Sequence, residues 1–74
     1  MKSMNLTVVL EREGDCFVAL CPELDIASQG DTVEEARAML KEAVELFFEC
    51  ASPEEIRERL HPEIYVSQLE VNVA

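Results

Sequence analysis

The fold depends on residues 26–36, which read Ile26-Ala27-Ser28-Gln29-Gly30-Asp31-Thr32-Val33-Glu34-Glu35-Ala36. Residues 26–29 are predicted to form a short strand, which Gly30 ends. Either Asp31 or Thr32 can cap the helix that begins next. With Thr32 as the N-cap, Glu35 stands three residues later and completes a capping box. The sequence therefore predicts that a strand passes almost directly into a helix here.

Two strands are predicted before this stretch. Along residues 4–11, apolar and polar residues alternate with the period of two that is typical of a half-buried strand. A tight turn over residues 12–15 follows, since Gly14 supplies the backbone freedom that such a turn needs. Residues 16–21 form a second, more apolar strand, which ends before Pro22 because proline has no N–H for a sheet ladder. The two strands are predicted to form a hairpin.

The helix is predicted to run from about Val33 to Cys50. Its apolar residues recur at spacings of three and four and share one stripe. The members of this stripe are Val33, Ala36, Leu40, Ala43, Val44 and Phe47. Met39, Leu46 and Cys50 widen the stripe on one side, so the apolar arc is broader than one sheet contact requires. Either the short segment after the helix or a partner protein must cover the extra width.

A short helix and a last strand are predicted after the long helix. Residues 52–55 place serine at a cap and proline at the first helical position, and the helix is predicted to last two turns at most. Residues 64–73 return to a strand pattern. The predicted fold is α+β with the order β-β-β-α-(short α)-β. The main helix packs on one face of a sheet with strand order 3-2-1-4.

The last strand would lie at an edge of this sheet. Glu70 is its one charged residue between Tyr65 and Ala74. An apolar edge with few charges invites pairing with another chain. We therefore predict a homodimer or higher homo-oligomer that uses either this strand or the wide helix face. The interface candidates are Tyr65, Leu69, Val71, Val73, Met39 and Leu46.

The composition narrows the classes of partner and location. The 74 residues include 6 Lys plus Arg and 16 Asp plus Glu, for a formal net charge of −10. Nucleic acids and anionic membrane surfaces are both bound through clustered basic residues, so neither is an expected partner. No apolar run approaches the roughly 20 residues of a membrane span. Residues 1–5 lack the apolar region of an export signal, and the expected location is the cytoplasm.

No metal and no cofactor are expected. Cys16, Cys21 and Cys50 are predicted to be free thiols in a reducing compartment. His61 is the sole imidazole, and nothing in the spacing favours a catalytic dyad with Cys50. Two glycines are too few for a glycine-rich phosphate loop. The chain is therefore not expected to be an enzyme. The abundant carboxylates leave a residual metal-dependent nuclease as a less favoured alternative.

Three segments resemble the HicB-like antitoxin family. Residues 17–24 resemble the second strand of that family and its Pro-Glu-Leu turn, residues 28–36 resemble its most characteristic signature, and residues 40–43 continue it along the helix. The match covers about residues 6–49. Asp25-Ile26 departs from the pattern, since many relatives have a Pro-Gly pair there.

The resemblance implies a degraded ribonuclease H-like fold without nuclease activity. It also implies a partner, a small basic HicA-like toxin that cleaves messenger RNA and that the antitoxin neutralises. Many relatives carry a C-terminal DNA-binding domain, whereas residues 1–74 are expected to form a single HicB-like domain without one. The other hypothesis left open is a small oligomeric structural or ligand-binding domain.

An acidic surface is the expected contact for a basic partner, because complementary charge speeds association. Several acidic residues are close in sequence around one loop and the start of the long helix. The candidates for partner binding are Glu23, Asp25, Asp31, Glu34 and Glu35.

Overall fold

The computed structural model describes residues 3–74 and contains three strands and two helices within them. The elements are β1 (Val9–Glu13), β2 (Cys16–Cys21), β3 (Ile26–Gly30), α1 (Val33–Cys50) and α2 (Pro53–Arg59). The strands form one antiparallel sheet in the order β1-β2-β3. The α+β class, the hairpin and the bounds of the long helix are confirmed. Residues 1 and 2 lie outside the described residues. They belong to the predicted domain and to the segment predicted to lack an export signal.

β1 begins later than the alternating pattern predicts. Val9 pairs with Leu20, and β2 ends at the next residue, Cys21. A longer ladder would place Thr7 opposite Pro22, which has no N–H to donate. Residues 3–8 therefore precede the sheet without strand pairing, and the predicted strand is wrong over residues 4–8.

α1 covers the sheet unevenly. It contacts β3 and β2 extensively and β1 only slightly. The buried core between sheet and helix consists of Ala19, Cys21, Leu24, Ala36 and Leu40. Because these side chains are few, partly buried residues such as Val44, Phe47 and Leu60 complete the packing around them. The core is therefore small and lies away from β1.

β3 and α1 meet at Gly30 without room for a side chain. A Cβ atom on Gly30 would lie 2.6 Å from the backbone N of Ala36 and 2.9 Å from the carbonyl carbon of Glu35. Both atoms belong to the backbone of α1, so they cannot move aside as a flexible side chain could. Glycine is required here for close approach of strand and helix.

The start of α1 is capped largely as predicted. The Thr32 hydroxyl accepts a hydrogen bond from the Glu35 N–H at 3.0 Å. The Glu35 carboxylate accepts in turn from the Asp31 N–H at 2.9 Å. Thr32 is therefore the N-cap, while the reciprocal bond goes to the residue before the cap rather than to the cap itself.

Replacing Thr32 with alanine is expected to lower the free energy of unfolding by about 1 kcal/mol, because the Glu35 N–H loses its acceptor. For a domain of this size the melting temperature falls by roughly 4–8 °C. Thermal unfolding followed by circular dichroism measures the change. Thr32→Ser keeps the hydroxyl and is the matched control. An equal loss in both variants would contradict a capping role for the hydroxyl.

The predicted fourth strand and the sheet order 3-2-1-4 are wrong for the described residues. Residues 61–74 form neither strand nor helix, so the sheet stops at β1. The backbone N–H of His61 still donates to the Glu23 carbonyl at 2.8 Å, and from there the chain extends without a partner strand. Alternating apolar residues favour a strand with one buried face. Strand pairing also requires the free edge of a neighbouring strand.

Candidate partner-binding surfaces

The acidic residues that are close in sequence are divided between the two ends of β3. Asp25 precedes this strand and Asp31 follows it. At about 3.3 Å per residue, the two Cα atoms are about 20 Å apart. Glu34 and Glu35 lie with Asp31 at the start of α1, whereas Glu23 lies with Asp25 at the opposite end. The expected single acidic cluster is therefore not formed.

Glu23 is buried and its carboxylate is used within the chain. The side chain is 6% exposed. Its oxygens accept from the backbone N–H of Thr7 at 2.9 and 3.1 Å and from the Thr7 hydroxyl at 2.8 Å. This carboxylate supplies the acceptor for Thr7 at the point where the sheet ladder stops. Glu23 thus holds residues 3–8 against the β2–β3 turn and is not exposed to a partner in this structure.

The surroundings of Glu23 shift two pKa values in opposite directions. Burial tends to raise the pKa of Glu23, but the hydrogen bonds from Thr7 outweigh burial, so the pKa is lowered. Burial raises the pKa of the Cys21 thiol, and the neighbouring Glu23 charge raises it further. The Cys21 Sγ lies 3.6 Å from the Glu23 carboxylate. The pair therefore favours a charged carboxylate beside a neutral thiol.

The β2–β3 turn is also held from the other side by the end of α2. The Arg59 guanidinium donates to the Leu24 carbonyl at 2.8 Å and lies 5.5 Å from the centre of the Phe47 ring. Leu24 is completely buried. Asp25 follows it with a φ of 55°, the left-handed region, and is exposed. Of the candidates at this end, Asp25 alone presents its side chain to solvent.

The other end of the sheet gathers acidic residues from two parts of the chain. The register places Glu13 opposite Cys16 and Phe17 opposite Gly30, so the β1–β2 turn lies beside the start of α1. This surface, called the acidic end, consists of Glu13, Asp15, Asp31, Glu34 and Glu35. All five residues are exposed. Glu13 and Asp15 were absent from the predicted set, although the antiparallel register of a hairpin meander could have indicated them.

The apolar interface candidates lie on two separate exposed surfaces. Tyr65, Leu69, Val71 and Val73 are 63% to 86% exposed along the C-terminal segment, which we call the tail (residues 64–74). Met39 and Leu46 are 45% and 57% exposed on α1. The short segment after α1 therefore leaves these two side chains partly uncovered. Their role in an oligomer stays a prediction.

A groove of about 1070 Å³ lies between residues 3–8 and one flank of α1. Its apolar lining includes Leu6, Val8, Leu40, Val44 and Phe48. The groove is open because α1 leans over β3 and β2 and hardly reaches β1. Arg37 and Lys41 lie at the same flank of the helix. Glu45 and Glu49 line this flank as well, and Lys41 forms a salt bridge with Glu45 at 3.0 Å. The groove is thus an apolar channel whose helix flank has charges of both signs.

Two structural features bear on metals and membranes. Among residues 3–74, no three His, Cys, Asp or Glu side chains are grouped so that they could hold a metal ion. None of the helices in this range is long and apolar enough to cross a membrane.

Two UPF0150 proteins are similar to part of this chain. The chain is 45% identical over 47 residues to the UPF0150 protein ssl0738 and 51% identical over 47 residues to the UPF0150 protein ssr1765, both from Synechocystis sp.. These alignments cover 61% of this chain. No protein-family model matches the sequence, and no solved structure matches it. The chain is thus similar to UPF0150 proteins over most of its length, and it spans 65% and 60% of these two relatives.

Proposed function

We propose that this protein is a HicB-like antitoxin that neutralises a small, basic, messenger-RNA-cleaving toxin of the HicA type by direct contact in the cytoplasm. The motif order in residues 17–43 resembles that of the HicB-like family, and the similarity to UPF0150 proteins is compatible with the proposal. In this proposal the β1-β2-β3-α1 unit is the core of a degraded ribonuclease H-like fold that binds its partner without catalysing a reaction.

The observation that carries the proposal is the acidic end. Its residues come from the β1–β2 turn and the start of α1, and the chain as a whole has a formal net charge of −10. A nuclease that binds RNA needs basic residues for the phosphates. A rigid acidic surface competes for those same residues. Neutralisation then follows from occlusion of the RNA path.

In the acidic end, Glu35 has a structural role that its neighbours do not share. The Glu35 carboxylate accepts from the Asp31 N–H and so stabilises the start of α1. Glu34 is on the same first turn, exposed to solvent. We assign partner contact to Asp31, Glu34, Glu13 and Asp15, and a mainly structural task to Glu35. Because the contact is electrostatic, its rate of formation falls as salt rises.

Reversing Asp31 and Glu34 to lysine together is expected to slow association with the toxin about tenfold at low ionic strength, since steering by complementary charge is lost. Stopped-flow mixing with a purified candidate toxin, meaning a small basic protein where one is encoded beside this gene, measures the rate. Glu42→Lys with Glu49→Lys makes the same charge change in the C-terminal half of α1 and is the matched control. Equal slowing in both double variants would contradict a contact at the acidic end.

Cellular co-expression tests the function itself. The protein is expected to restore growth to cells that express the neighbouring basic protein, and the Asp31→Lys/Glu34→Lys variant is expected to restore it less well. Growth that stays arrested with the unmodified protein present would overturn the antitoxin proposal.

The uncovered apolar surfaces favour a second candidate function, in which the protein is a small oligomeric structural or ligand-binding domain. The exposed tail and groove would serve such a role without any toxin. Absence of a small basic protein encoded next to this gene would favour this alternative.

A further inference from the structure

We propose that two copies of this chain exchange their tails, so that residues 64–74 of each copy lie in the groove between residues 3–8 and α1 of the other. The tail and the groove are both uncovered in the single chain. This inference goes beyond the antitoxin proposal and does not depend on the existence of a toxin.

The single chain exposes more surface than a compact protein of its mass. A compact protein of 8.3 kDa exposes about 4600 Å² of surface. This chain exposes 6340 Å², an excess of roughly 1700 Å² over that expectation. Two copies that each bury such an excess would bury about 3400 Å², which falls in the range of 2,000–5,000 Å² typical of obligate homodimers.

The overall dimensions point to the tail as the source of the excess. The radius of gyration is 14.4 Å, whereas a compact chain of this length has about 11 Å. The longest dimension is 48 Å against 28 and 19 Å for the other two. Among residues 3–74, the segment 61–74 has no strand partner, and His61 makes its last backbone hydrogen bond to the body of the protein.

The tail has the pattern of a half-buried strand. Tyr65, Leu69, Val71 and Val73 occupy odd positions and therefore share one face in an extended chain. Gln68, Glu70 and Asn72 occupy the opposite face. An extended segment with one apolar face is suited to lie along an apolar channel with its polar face outward.

The groove offers both apolar contact and a backbone edge. Leu6 and Val8 contribute side chains to it from residues 3–8, and Leu40, Val44 and Phe48 contribute from α1. The Thr7 N–H points inward to Glu23. Residues 3–8 pair with no strand among residues 3–74, so this segment has an edge open to strand addition. A tail from another copy can therefore add as a strand there.

The flank of the groove on α1 has charges of both signs. Arg37 and Lys41 are two of the 6 basic residues of the chain, and both line the groove. The polar face of the tail carries Glu70. Glu45 and Glu49 line the same flank and Lys41 already pairs with Glu45, so this flank is not basic as a whole. A second copy in the groove leaves the acidic end of each copy unobstructed, because that end lies at the other end of the sheet from the start of the tail.

Sedimentation equilibrium of the full chain at micromolar concentration tests the proposal. The expected mass is twice 8.3 kDa. Leu69→Glu with Val71→Glu places two charges on the apolar face of the tail and is expected to raise the dimer dissociation constant at least about 100-fold. Gln68→Glu with Asn72→Glu adds the same charge to the opposite face and should leave the dimer intact. Both variants should keep the circular dichroism spectrum, because the tail is outside the core.

A disulfide trap identifies what the tail contacts. In a background of Cys16→Ser and Cys50→Ser, chains with Asn5→Cys in the groove wall are mixed with chains carrying Ser67→Cys in the tail. Exchange predicts that mild oxidation links the two kinds of chain. Preferential links between two Ser67→Cys chains would overturn the proposal in favour of tail-to-tail pairing.

Three other results would also overturn it. One is a monomer of the full chain at these concentrations, which would mean that the tail folds onto its own body or stays uncovered. The second is a dimer that survives Leu69→Glu with Val71→Glu. The third is a dimer that is lost with Leu46→Glu but not with the tail variant, which would assign the interface to the exposed face of α1.

Discussion

Replacing Gly30 with alanine is expected to lower the free energy of unfolding by about 3 kcal/mol, the upper end of the cost of overpacking. The new Cβ would lie 2.6 Å from the backbone N of Ala36. Relief of that contact requires β3 to move away from the start of α1, whose Ala36 and Leu40 belong to the small core. For a chain whose total stability is about 4–11 kcal/mol, such a loss is large.

Gly14→Ala is the matched control for this prediction. Gly14 has a φ of 62°, but no atom lies within 4 Å of the position that a Cβ would occupy. Its replacement costs only the strain of a left-handed residue, about 1–2 kcal/mol. Urea unfolding of both variants gives the comparison. A Gly30→Ala variant no less stable than Gly14→Ala would show that strand and helix are not in close contact.

Replacing Glu23 with glutamine is expected to lower the free energy of unfolding at pH 7 by about 2 kcal/mol. The glutamine amide keeps the size of the side chain but loses the charged acceptor for the Thr7 N–H and hydroxyl, and hydrogen bonds to charged groups contribute about 1.5–3 kcal/mol. Residues 3–8 then separate from the β2–β3 turn. Glu42→Gln, on the exposed surface of α1, is the control and should change stability little.

The pH dependence distinguishes the charge of Glu23 from its shape. The pKa of Glu23 is lower in the folded protein than its ordinary value of 4.5, because the Thr7 hydrogen bonds outweigh burial. The unfolded chain therefore binds the proton more readily, so this contribution is complete above about pH 4.5 and is lost as the pH falls through the folded-state pKa. The stability difference between the unmodified protein and Glu23→Gln should shrink over that range. A difference that stays constant from neutral pH into this range would contradict the role of the charge.

Local sequence patterns determined most of the elements. Gly14 predicted the turn, Thr32 predicted the start of α1, and the apolar stripe predicted its whole length, because turns, caps and helical periodicity depend on residues near in sequence. The start of β1 could not be predicted from local sequence patterns. Its ladder ends at Val9 and Leu20, two residues before the register would bring Thr7 opposite Pro22, and that register is known only from the folded hairpin.

The tertiary structure decided which acidic residues are exposed and which of them share a surface. Glu23 looked like its acidic neighbours in sequence, yet the fold buries it as the acceptor for Thr7. Asp25 and Asp31, six residues apart, are carried to opposite ends of a strand, while Asp15 comes to lie with Asp31. The alternating tail satisfied the local rules for a strand, and it still pairs with no strand among residues 3–74. Strand pairing and burial depend on groups far apart in sequence, which is why composition and periodicity by themselves could not place them.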